Sequence, residues 1–537
     1  MNHDRQGRLL EGGPNHIRAR GLRVFAVGAL LIAALSCSAE TELVVEVSAE
    51  SKGQWQEITE AHPLPERLTA THVTAEGNTA AGETAPAAGA ATPGQTDSAA
   101  IVLTRTLGPQ TVAPDGRSLL LARRYLVPTR PLWDFTHDLS VGQVDQSALV
   151  PLSEVVLPET ARSVDGRYPG DRGYPFVEET WITLDLERAG IREDRRPGEE
   201  LAAWFEALER RDDLTSIEKR PEVTWIAGAG DIMLERGMRG LLTARGGLEI
   251  VFSDVLPLLQ EADFLLGNLE GAVSRRGAPL PKSFTFRFDP VVLGPLREAG
   301  FDYLSLVNNH SFDYGLDAFL DSKLHLSEAG ILTSGVGNNV EEAGRVSEVE
   351  VEGLPLRILS MGAYPVESSG FDGARETAAT VDRPGVLWAD PRNRVAQAAA
   401  FAAMESQFGP DTFDVVMIHG GFEWQTEPSG AQIALYRTLV DAGADLVLGH
   451  HSHVVQGLEA YNGGLIAYSL GNFIFPGMYL TEHGEESVLL EVGVVDGAIR
   501  YVEPIAVAID HQLLSLDRDT ALLRRMQAST ARLNGAR

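Results

Sequence analysis

From residue 222 onwards, short apolar segments alternate with segments of helical periodicity. The apolar segments lie at 223–227, 263–266, 303–307, 414–418, 445–448 and 465–469. Continuous apolar runs of this length are typical of strands that are buried on both faces. Helical periodicity falls between them at 292–299, 316–328, 396–404 and 431–442. The alternation predicts a layered α/β fold over residues 222–512.

Each predicted strand runs into a short polar segment that contains aspartate, glutamate, asparagine or histidine. The densest of these segments is 449–453, which holds three histidines. The carboxyl ends of strands in an open α/β sheet face the crevice where ligands bind. We therefore expect all six ends to lie on one edge of one sheet. The six candidate metal ligands are Asp231, Glu270, Asn309, His419, His451 and His453.

Carboxylate, amide oxygen and neutral imidazole together suit a hard or borderline divalent ion. The chain has one cysteine, Cys37, so zinc–thiolate sites and intrachain disulfides are excluded, while Mn, Fe, Zn and Mg stay open. Each candidate has an ordinary alternative when taken alone. Asp231 is a typical helix N-cap, Glu270 a typical solvated carboxylate, and Asn309 a typical turn residue. The coincidence of all of them at strand ends favours a metal site.

In these segments the sequence resembles the CapA family of poly-γ-glutamate capsule biosynthesis proteins, which is related to calcineurin-like metallophosphoesterases. The matching motifs, in family order, are Gly230-Asp231-Ile232-Met233-Leu234, Asn268-Leu269-Glu270, Asn308-Asn309-His310 with Asp313 and Gly315 after it, His419-Gly420-Gly421-Phe422-Glu423, and the segments 449–456 and 468–473. The resemblance covers about residues 222–480 and implies a layered metallophosphoesterase-like β-sandwich flanked by helices. Met233 stands where the first metallophosphoesterase motif has a histidine, which leaves one or two metal ions open.

The resemblance also implies roles for individual residues. Asn309 is expected to be a metal ligand and His310 a general acid, with Asp313 orienting the His310 ring. Glu423 is expected either to support a ligand residue or to act as a base. His450 is expected to face either the core or the back of the ligand residues.

Three functions remain open from the sequence. The first is a CapA-like protein of capsule biosynthesis with a divalent-metal-dependent hydrolase-type active site, which works with other capsule-assembly proteins on an anionic polymer or its precursors. The second is a metallophosphoesterase with another envelope substrate, and the third is a non-catalytic polymer-binding scaffold. The 45 basic and 75 acidic residues give a net charge of −30, which disfavours nucleic-acid binding. A local cationic patch for an acidic polymer is one interpretation of Arg275, Arg276, Lys282 and Arg287, and a solvated loop is the other.

The N-terminal residues 1–37 predict a targeting segment. Five arginines precede an apolar run at 24–35, which is too short for a typical membrane-spanning helix and matches a signal-peptide core. The run leads into Cys37, and this arrangement resembles a bacterial lipoprotein signal. We expect an exported protein of the cell envelope that is anchored to the membrane through a lipid on Cys37. A plain cleaved signal or an uncleaved anchor is the alternative.

Composition divides the rest of the chain. Residues 38–100 predict a low-complexity linker with room for one strand at 43–47, because Ala, Thr, Gly, Glu and Pro dominate the stretch from 69 onwards. Residues 101–207 predict a small α+β domain, whose segment 164–176 resembles the last part of periplasmic solute-binding-type domains. A second linker is predicted at 208–221. Residues 513–537 predict a C-terminal helix with Leu522, Leu523 and Met526 on its apolar face.

Overall fold

The computed structural model describes residues 41–46, 52–61, 63, 68–73, 101–108, 117–136, 138–184, 186, 193–194, 196–519 and 521–536. The chain divides into two compact units, the first within Met1–Arg124 and Pro175–Lys219 and the second within Tyr125–Tyr174 and Arg220–Arg537. The predicted signal segment 1–37 lies outside the described residues. Within the described ranges, no helix has both the length and the apolar character needed to cross a membrane.

The described part of the chain up to residue 217 forms strands, two α-helices and short 3₁₀ helices. The strands are β1 (Thr41–Glu46), β2 (Leu68–Val73), β3 (Ile101–Gly108), β4 (Arg117–Val127), β5 (Thr129–Pro131), β6 (Asp138–Leu139), β7 (Val150–Pro151), β8 (Glu159–Ala161), β9 (Ser163–Val164), β10 (Val177–Leu184) and β11 (Ser216–Ile217). The helices are α1 (Lys52–Ala61) and α2 (Arg196–Leu208). In the first unit the strand order is β11–β4–β10–β3–β1–β2.

The linker predicted at 38–100 differs from the structure in its first half. Residues 41–73 contribute β1, α1 and β2, and β1 pairs in parallel with β2 along six residues. Both strands are rich in β-branched residues, which favour an extended backbone. The structure therefore extends the first unit to residues that composition alone assigns to a linker. Residues 74–100 lie outside the described part of the chain.

The second unit holds the remaining elements. Its later strands are β12 (Thr224–Ile232), β13 (Phe264–Leu269), β14 (Ala272–Val273), β15 (Arg287–Phe288), β16 (Phe301–Ser305), β17 (Val336–Gly337), β18 (Ser347–Val351), β19 (Leu354–Ala363), β20 (Gly385–Val386), β21 (Phe413–Gly420), β22 (Leu446–His450), β23 (Leu458–Tyr461), β24 (Gly464–Ala467), β25 (Asn472–Ile474), β26 (Glu486–Val495), β27 (Ala498–Asp510) and β28 (Leu513–Leu516). Its helices are α3 (Met238–Leu242), α4 (Gly247–Phe252), α5 (Leu256–Glu261), α6 (Leu293–Glu298), α7 (Gly315–Glu328), α8 (Val340–Ala343), α9 (Gly373–Glu376), α10 (Arg394–Gln407), α11 (Gly430–Asp441) and α12 (Ala521–Leu533).

Two large sheets form the centre of the second unit. The first has the order β16–β13–β12–β26–β27–β28, with β25 paired to β12, and the second has the order β18–β19–β21–β22–β24–β23. Their facing sides share one apolar core, in which Ile226 and Leu266 of the first sheet pack with Met417 and Leu448 of the second. The α/β class and the two-layered sandwich predicted for this region are confirmed.

Helices cover the outer faces of both sheets. Outward-facing residues of the first sheet, such as Leu265, pack in one core with residues of α4 and α6. Outward-facing residues of the second sheet, such as Val416, pack with α10 and α11. Neighbouring residues of one strand thus enter different cores, because successive side chains point to opposite faces. This double burial explains the continuous apolar runs in the sequence.

The six strand-end segments belong to two sheets and not to one. Strands β12, β13 and β16 deliver three of them from the first sheet, while β21, β22 and β24 deliver three from the second. The expectation of a single sheet edge was wrong, because a strand buried on both faces has the same sequence pattern in either sheet. Sequence analysis also missed β19, whose run is interrupted by Pro355 and Arg357. This strand lies beside β21 in the second sheet.

The ends of the second unit differ in detail from the predicted boundaries. Residues 125–174 group with the C-terminal region, and Tyr168 donates a hydrogen bond to Glu503 at 2.9 Å. Residues 513–537, predicted as one helix, contain β28 and then α12. The predicted apolar face of α12 is confirmed, because Leu522 and Met526 are buried and Leu523 packs against the same core.

Candidate metal centre

The first ligand candidate, Asp231, is placed by a close approach of two backbones. A Cβ atom on Gly230 would lie 2.3 Å from the carbonyl oxygen of Gly471, so only glycine fits there. The next residue, Asp231, donates its backbone N–H to that same carbonyl at 3.0 Å. Its carboxylate is fully buried at the end of β12. The Gly-Asp pair of the sequence motif is therefore explained by packing at the strand end.

Carboxylates and imidazoles from both sheets converge on Glu270. One ligand atom each from Asp231, Glu270 and His419 lie within 4.8 Å of one another. Glu270 Oε1 is 3.6 Å from His453 Nε2 and 3.9 Å from His419 Nε2. Two ligands at about 2.1 Å from one ion lie up to roughly 4.2 Å apart. The distances from Glu270 Oε1 to His453 and to His419 are below this limit and therefore suit a shared cation.

Several buried polar atoms of the cluster have no hydrogen-bond partner. Both carboxylate oxygens of Glu270 are unpaired, as are both ring nitrogens of His451. Burying such groups without a partner costs free energy. A metal ion that they coordinate offsets this cost. Together with the mixed oxygen and nitrogen donor set, these unpaired atoms make the cluster suitable for a divalent cation.

The three histidines of segment 449–453 have different positions. His453 donates from Nδ1 to Asn472 Oδ1 at 2.9 Å, which leaves Nε2 facing Glu270. His451 lies with its ring centroid 4.8 Å from that of His419. His450 is also buried, with Nδ1 3.2 Å from Asp231 Oδ1, so it stands behind a candidate ligand. This position matches one of the two expected for His450.

The backbone at these histidines is held in an uncommon conformation. His451 has φ of 89° and His453 has φ of 58°, in the left-handed region that non-glycine residues rarely occupy. Such conformations persist only where the surrounding structure enforces them, and they concentrate at functional sites. The strain therefore supports a functional role for the turn after β22.

His310 and Asn309 are neighbours in the chain, and hydrogen bonds to Asp313 and His419 orient their side chains. His310 donates from Nδ1 to Asp313 Oδ2 at 2.6 Å, and its Nε2 lies 3.8 Å from Glu270 Oε1. Asn309 Oδ1 accepts a hydrogen bond from His419 Nε2 at 2.9 Å. Asn309 therefore points its amide oxygen towards the cluster. The expected pairing of His310 with Asp313 is present in the structure.

A buried lysine connects these two residues. Lys282 Nζ lies 2.7 Å from Asp313 Oδ1 and 2.8 Å from Glu367 Oε1, and it donates to the carbonyl of Asn309 at 2.6 Å. Glu367 Oε1 in turn accepts from Asn309 Nδ2 at 3.2 Å. One ammonium group thus fixes both the carboxylate that orients His310 and the carboxylate that orients the Asn309 amide.

The buried charges shift the pKa values of the cluster strongly. Burial, reinforced by the Asp231 charge, raises the pKa of Glu270 well above its usual range. Burial opposes the protonated form of His453, but Glu270 and Asp231 outweigh this effect and raise its pKa to about 10. Burial lowers the pKa of His451 to about 3 and that of His419 well below its ordinary value. His419 and His451 are therefore neutral, as metal ligands must be, whereas His453 must release its proton when it binds a metal.

A cavity of about 470 Å³, here called the metal-site cavity, opens onto the cluster. It is lined by Asn309, His310 and His451 and also by Glu423, which is exposed at the mouth. Its rim carries exposed apolar side chains: Phe284, Val366, Phe422 and Trp424. The Trp424 ring stacks on that of His453 with centroids 5.2 Å apart. A substrate can therefore reach His310 and His451 from this side.

Some participants were not identified from the sequence. Asn268 Nδ2 donates to Asp231 Oδ1 at 2.8 Å and lies 3.2 Å from His419 Nδ1, so it bridges two candidate ligands. Asn268 stands in the quoted Asn-Leu-Glu motif, which was the available signal. Lys282 was considered only as part of a cationic patch, and Glu367 was not singled out, because both lie in segments without a strand-end pattern.

The predicted cationic patch is not free on the surface. Arg275 pairs with Asp289 and Arg276 pairs with Asp321. The side chain of Lys282 is only 2% exposed. Arg287 lies over the ring of Tyr314, 4.2 Å from its centroid. Acidic partners and the burial of Lys282 reduce the free positive charge of these four residues, and the patch interpretation stays a prediction.

The candidate ligands lie within a segment of the chain that matches a known protein family. Residues 225–477 match the family model described as "Bacterial capsule synthesis protein PGA_cap". This part of the chain is therefore similar to that family. The match spans β12 to β25 and includes all six candidate ligands. It confirms the resemblance to capsule biosynthesis proteins.

Two relatives are named for capsule or PGA biosynthesis. The chain is 31% identical over 279 residues to "Capsule biosynthesis protein CapA" of Bacillus anthracis, covering 51% of this chain and 64% of that protein. It is 32% identical over 251 residues to "PGA biosynthesis protein CapA" of Bacillus subtilis (strain 168), covering 46% and 62%. The chain thus spans less than two thirds of either relative.

Solved structures show weaker likenesses. A hypothetical protein from Thermus thermophilus gives a TM-score of 0.33 at 17% identity, covering 53% of this chain and all of that chain. A 5'-nucleotidase from Candida albicans gives 0.32 at 12% identity, covering 57% and 56%. Scores of this size carry no conclusion about function.

Proposed function

We propose that this chain is an exported, CapA-like protein of capsule or poly-γ-glutamate biosynthesis with a divalent-metal-dependent hydrolase-type active site. The observation that carries the proposal is the buried group of Asp231, Glu270 and His419, in which both Glu270 oxygens lack a hydrogen bond. The capsule context rests on the family of residues 225–477.

In this proposal the ion is held by residues from both sheets. The ligands are Asp231, Glu270, Asn309, His419, His451 and His453, with His450 supporting Asp231. A divalent ion at this position supplies Lewis-acid polarisation of a scissile phosphoryl or carbonyl group. The donor set accepts Mn, Fe, Zn or Mg.

His310 moves the proton in the proposed reaction. Its Nδ1 is held by Asp313, so its Nε2 is the atom that exchanges a proton with a leaving group. His310 lines the metal-site cavity and can therefore reach a substrate. Glu423 at the mouth is positioned to assist as a base or to orient the substrate. A scaffold that only binds a polymer has no need of an oriented histidine, which favours catalysis.

The proposed location and partners follow from the sequence and the family. A lipid on Cys37 would anchor the protein to the membrane at the cell envelope. The partners would be an anionic envelope polymer or its precursors together with other capsule-assembly proteins, and not nucleic acid. The chain's net charge of −30 repels an anionic polymer, and a divalent ion at the centre offsets that repulsion locally.

The test uses the purified full-length protein. Metal content is measured after dialysis, and hydrolysis is assayed with bis(p-nitrophenyl) phosphate and with γ-glutamyl p-nitroanilide. We expect the wild type to contain divalent metal and to hydrolyse one of the two substrates. We expect His419→Ala to lose both the metal and the hydrolysis. The control is His325→Ala, because His325 lies on α7 at the protein surface, paired with Glu328. Absence of metal, or a His419→Ala variant that matches the wild type, would overturn the proposal.

A genetic arm addresses the biological role. Capsule staining of a deletion strain, complemented with wild type or with His419→Ala, separates the alternatives. We expect only the wild type to restore the polymer. Restoration by His419→Ala would indicate a scaffold, and an unchanged capsule in the deletion strain would indicate another envelope substrate.

A further inference from the structure

A second cavity, here called the side cavity, lies beside the metal-site cavity. Its volume is about 670 Å³, within the range of roughly 300–1,000 Å³ that is typical of small-molecule sites. Helix α11 forms one wall with Ala431, Ala434 and Leu435. The wall residues are mainly apolar, so the side cavity suits an apolar group.

The side cavity and the metal-site cavity share part of their walls. Pro365, Val366 and Phe422 line both. Val366 is 48% exposed and Phe422 is 45% exposed, which leaves apolar surface at the junction. Exposed apolar surface concentrated beside a site marks a place where a ligand or partner binds. A single ligand can therefore occupy both cavities.

The polar groups of the side cavity do not form a site for a charged ligand. Arg392 donates to the carbonyl of Tyr364 and pairs with Asp390 at 2.8 Å, so its charge is neutralised. Gln432 is 4% exposed, and its Oε1 has no hydrogen-bond partner, while its Nε2 is committed to Gln456 and Tyr468. The side cavity thus offers mainly apolar walls, and its one cationic side chain is paired.

We propose that the substrate is an amphiphile, whose polar, hydrolysable group lies at the metal centre and whose aliphatic chain lies in the side cavity. The inference rests on the proposed function, since it assigns the substrate class of the same centre. The shared wall supports one occupant for both cavities, because an aliphatic chain in the side cavity can continue past Val366 and Phe422 to a head group in the metal-site cavity. A long anionic polymer has no group that gains from burial between Leu435 and Phe422.

The test compares ligands that share a head group and differ in chain length. Binding of ethyl, hexyl, octyl and decyl phosphate to the metal-loaded full-length protein is measured by titration calorimetry, below the micelle concentration of each ligand. Each methylene that is buried strengthens binding by about two- to fourfold, from the transfer free energy of a methylene group. We expect decyl phosphate to bind at least tenfold more tightly than ethyl phosphate.

Two matched variants locate the chain. Ala434→Trp fills the side cavity from an exposed position of α11, and Ala402→Trp places the same side chain at an exposed position of α10 that does not line the side cavity. We expect Ala434→Trp to abolish the chain-length dependence while ethyl phosphate affinity and metal content are retained. Ala402→Trp is expected to behave as the wild type.

The outcomes separate the two proposals. Equal affinity for ethyl and decyl phosphate in a metal-loaded, hydrolytically active protein would overturn the amphiphile and leave the proposed function standing. A chain-length dependence that survives in Ala434→Trp would also overturn it, because the chain would then bind elsewhere, as on a surface for a protein partner. A protein that holds no metal and hydrolyses nothing would remove the proposed function itself.

Discussion

The ammonium group of Lys282 lies 2.7 Å from Asp313, the carboxylate that holds the His310 ring. The lysine side chain is 2% exposed and Asp313 is completely buried. A buried ion pair of this kind stabilises a protein little more than an apolar pair of similar volume would. Removing only one of its partners is costly, because the other charge is left buried and unpaired. We infer that Lys282 serves to orient the site, because the same ammonium group also pairs with Glu367, which accepts a hydrogen bond from Asn309.

Replacing Lys282 is expected to damage both stability and the site. Lys282→Met leaves two carboxylates without their cation, so we expect a loss of about 3–5 kcal/mol in the free energy of unfolding. Loss of a residue that orients ligand residues lowers activity or metal affinity by about 10–100-fold. Urea denaturation and metal titration measure the two effects.

The matched variants for this experiment are Lys282→Arg and Lys323→Met. The arginine retains the charge and is expected to recover part of the activity. Lys323 pairs with Glu342 at a partly exposed site, where an ion pair contributes about 1 kcal/mol or less. If Lys282→Met lowered stability and metal affinity no more than Lys323→Met does, the orienting role of Lys282 would be wrong.

Glu270 is expected to stabilise the metal-loaded protein and to destabilise the metal-free one. Its buried carboxyl group has no hydrogen-bond partner, and burial together with the nearby Asp231 charge makes its ionised form costly. In the absence of metal, Glu270→Gln is therefore expected to raise the free energy of unfolding by about 0.5–2 kcal/mol, as often happens when a functional site is neutralised. With metal at 100 times its Kd the wild type gains about 2.7 kcal/mol, and the variant is expected to lose that gain.

Thermal unfolding with and without chelator checks this reversal. The control is Glu249→Gln at an exposed position of α4, which is expected to respond to metal as the wild type does. A Glu270→Gln variant that is less stable than wild type without metal would show that the carboxylate has a structural role instead.

The strand-end residues were predictable because an apolar run followed by glycine, acidic residues or histidine is easily recognised in the sequence. Asp231 and His453 were identified in this way, and the structure brings both to Glu270. Which sheet each strand joins was not predictable, since burial on both faces gives the same apolar pattern in either sheet. Lys282 was not predictable either, because a lysine in a loop is normally solvated. Only the tertiary fold places it between Asp313 and Glu367.

A single added methyl group at Gly230 is expected to disturb the centre. The Cβ atom of Gly230→Ala would lie 2.3 Å from the Gly471 carbonyl oxygen, which is backbone and cannot rotate away. We expect a loss of at least about 1–3 kcal/mol in the free energy of unfolding and weaker metal binding, because β12 must move and Asp231 moves with it.

Gly240→Ala is the matched control for that variant. Gly240 lies in α3 with nothing within 4 Å of an added Cβ atom. Alanine is preferred over glycine inside a helix by about 1 kcal/mol, so this variant is expected to be neutral or more stable. Equal stability of both alanine variants, measured by urea denaturation, would contradict the close approach at Gly230.

Asp445, at the start of the strand that leads to the histidines, is expected to make stability depend on pH. Burial, together with the nearby Asp414 charge, raises the pKa of Asp445 to about 6. The unfolded chain has an aspartate pKa of about 3.9, so the folded state binds this proton more tightly. The protonated form therefore favours folding fully below about pH 4, and that contribution is lost as pH rises through about 6.

Asp445→Asn removes the ionisable group while its side-chain oxygen can still accept from the Asp414 backbone N–H, which lies 2.8 Å from the native carboxylate. Two variants are compared with wild type by urea denaturation at pH 4.5 and pH 7.5, the second being the exposed-site control Asp411→Asn. Relative to wild type, we expect Asp445→Asn to gain about 1–2 kcal/mol more at the higher pH, after allowing for partial solvent screening, and Asp411→Asn to show no such gain. A constant difference between Asp445→Asn and wild type at both pH values would mean that the Asp445 carboxyl group titrates alike in the folded and unfolded chain.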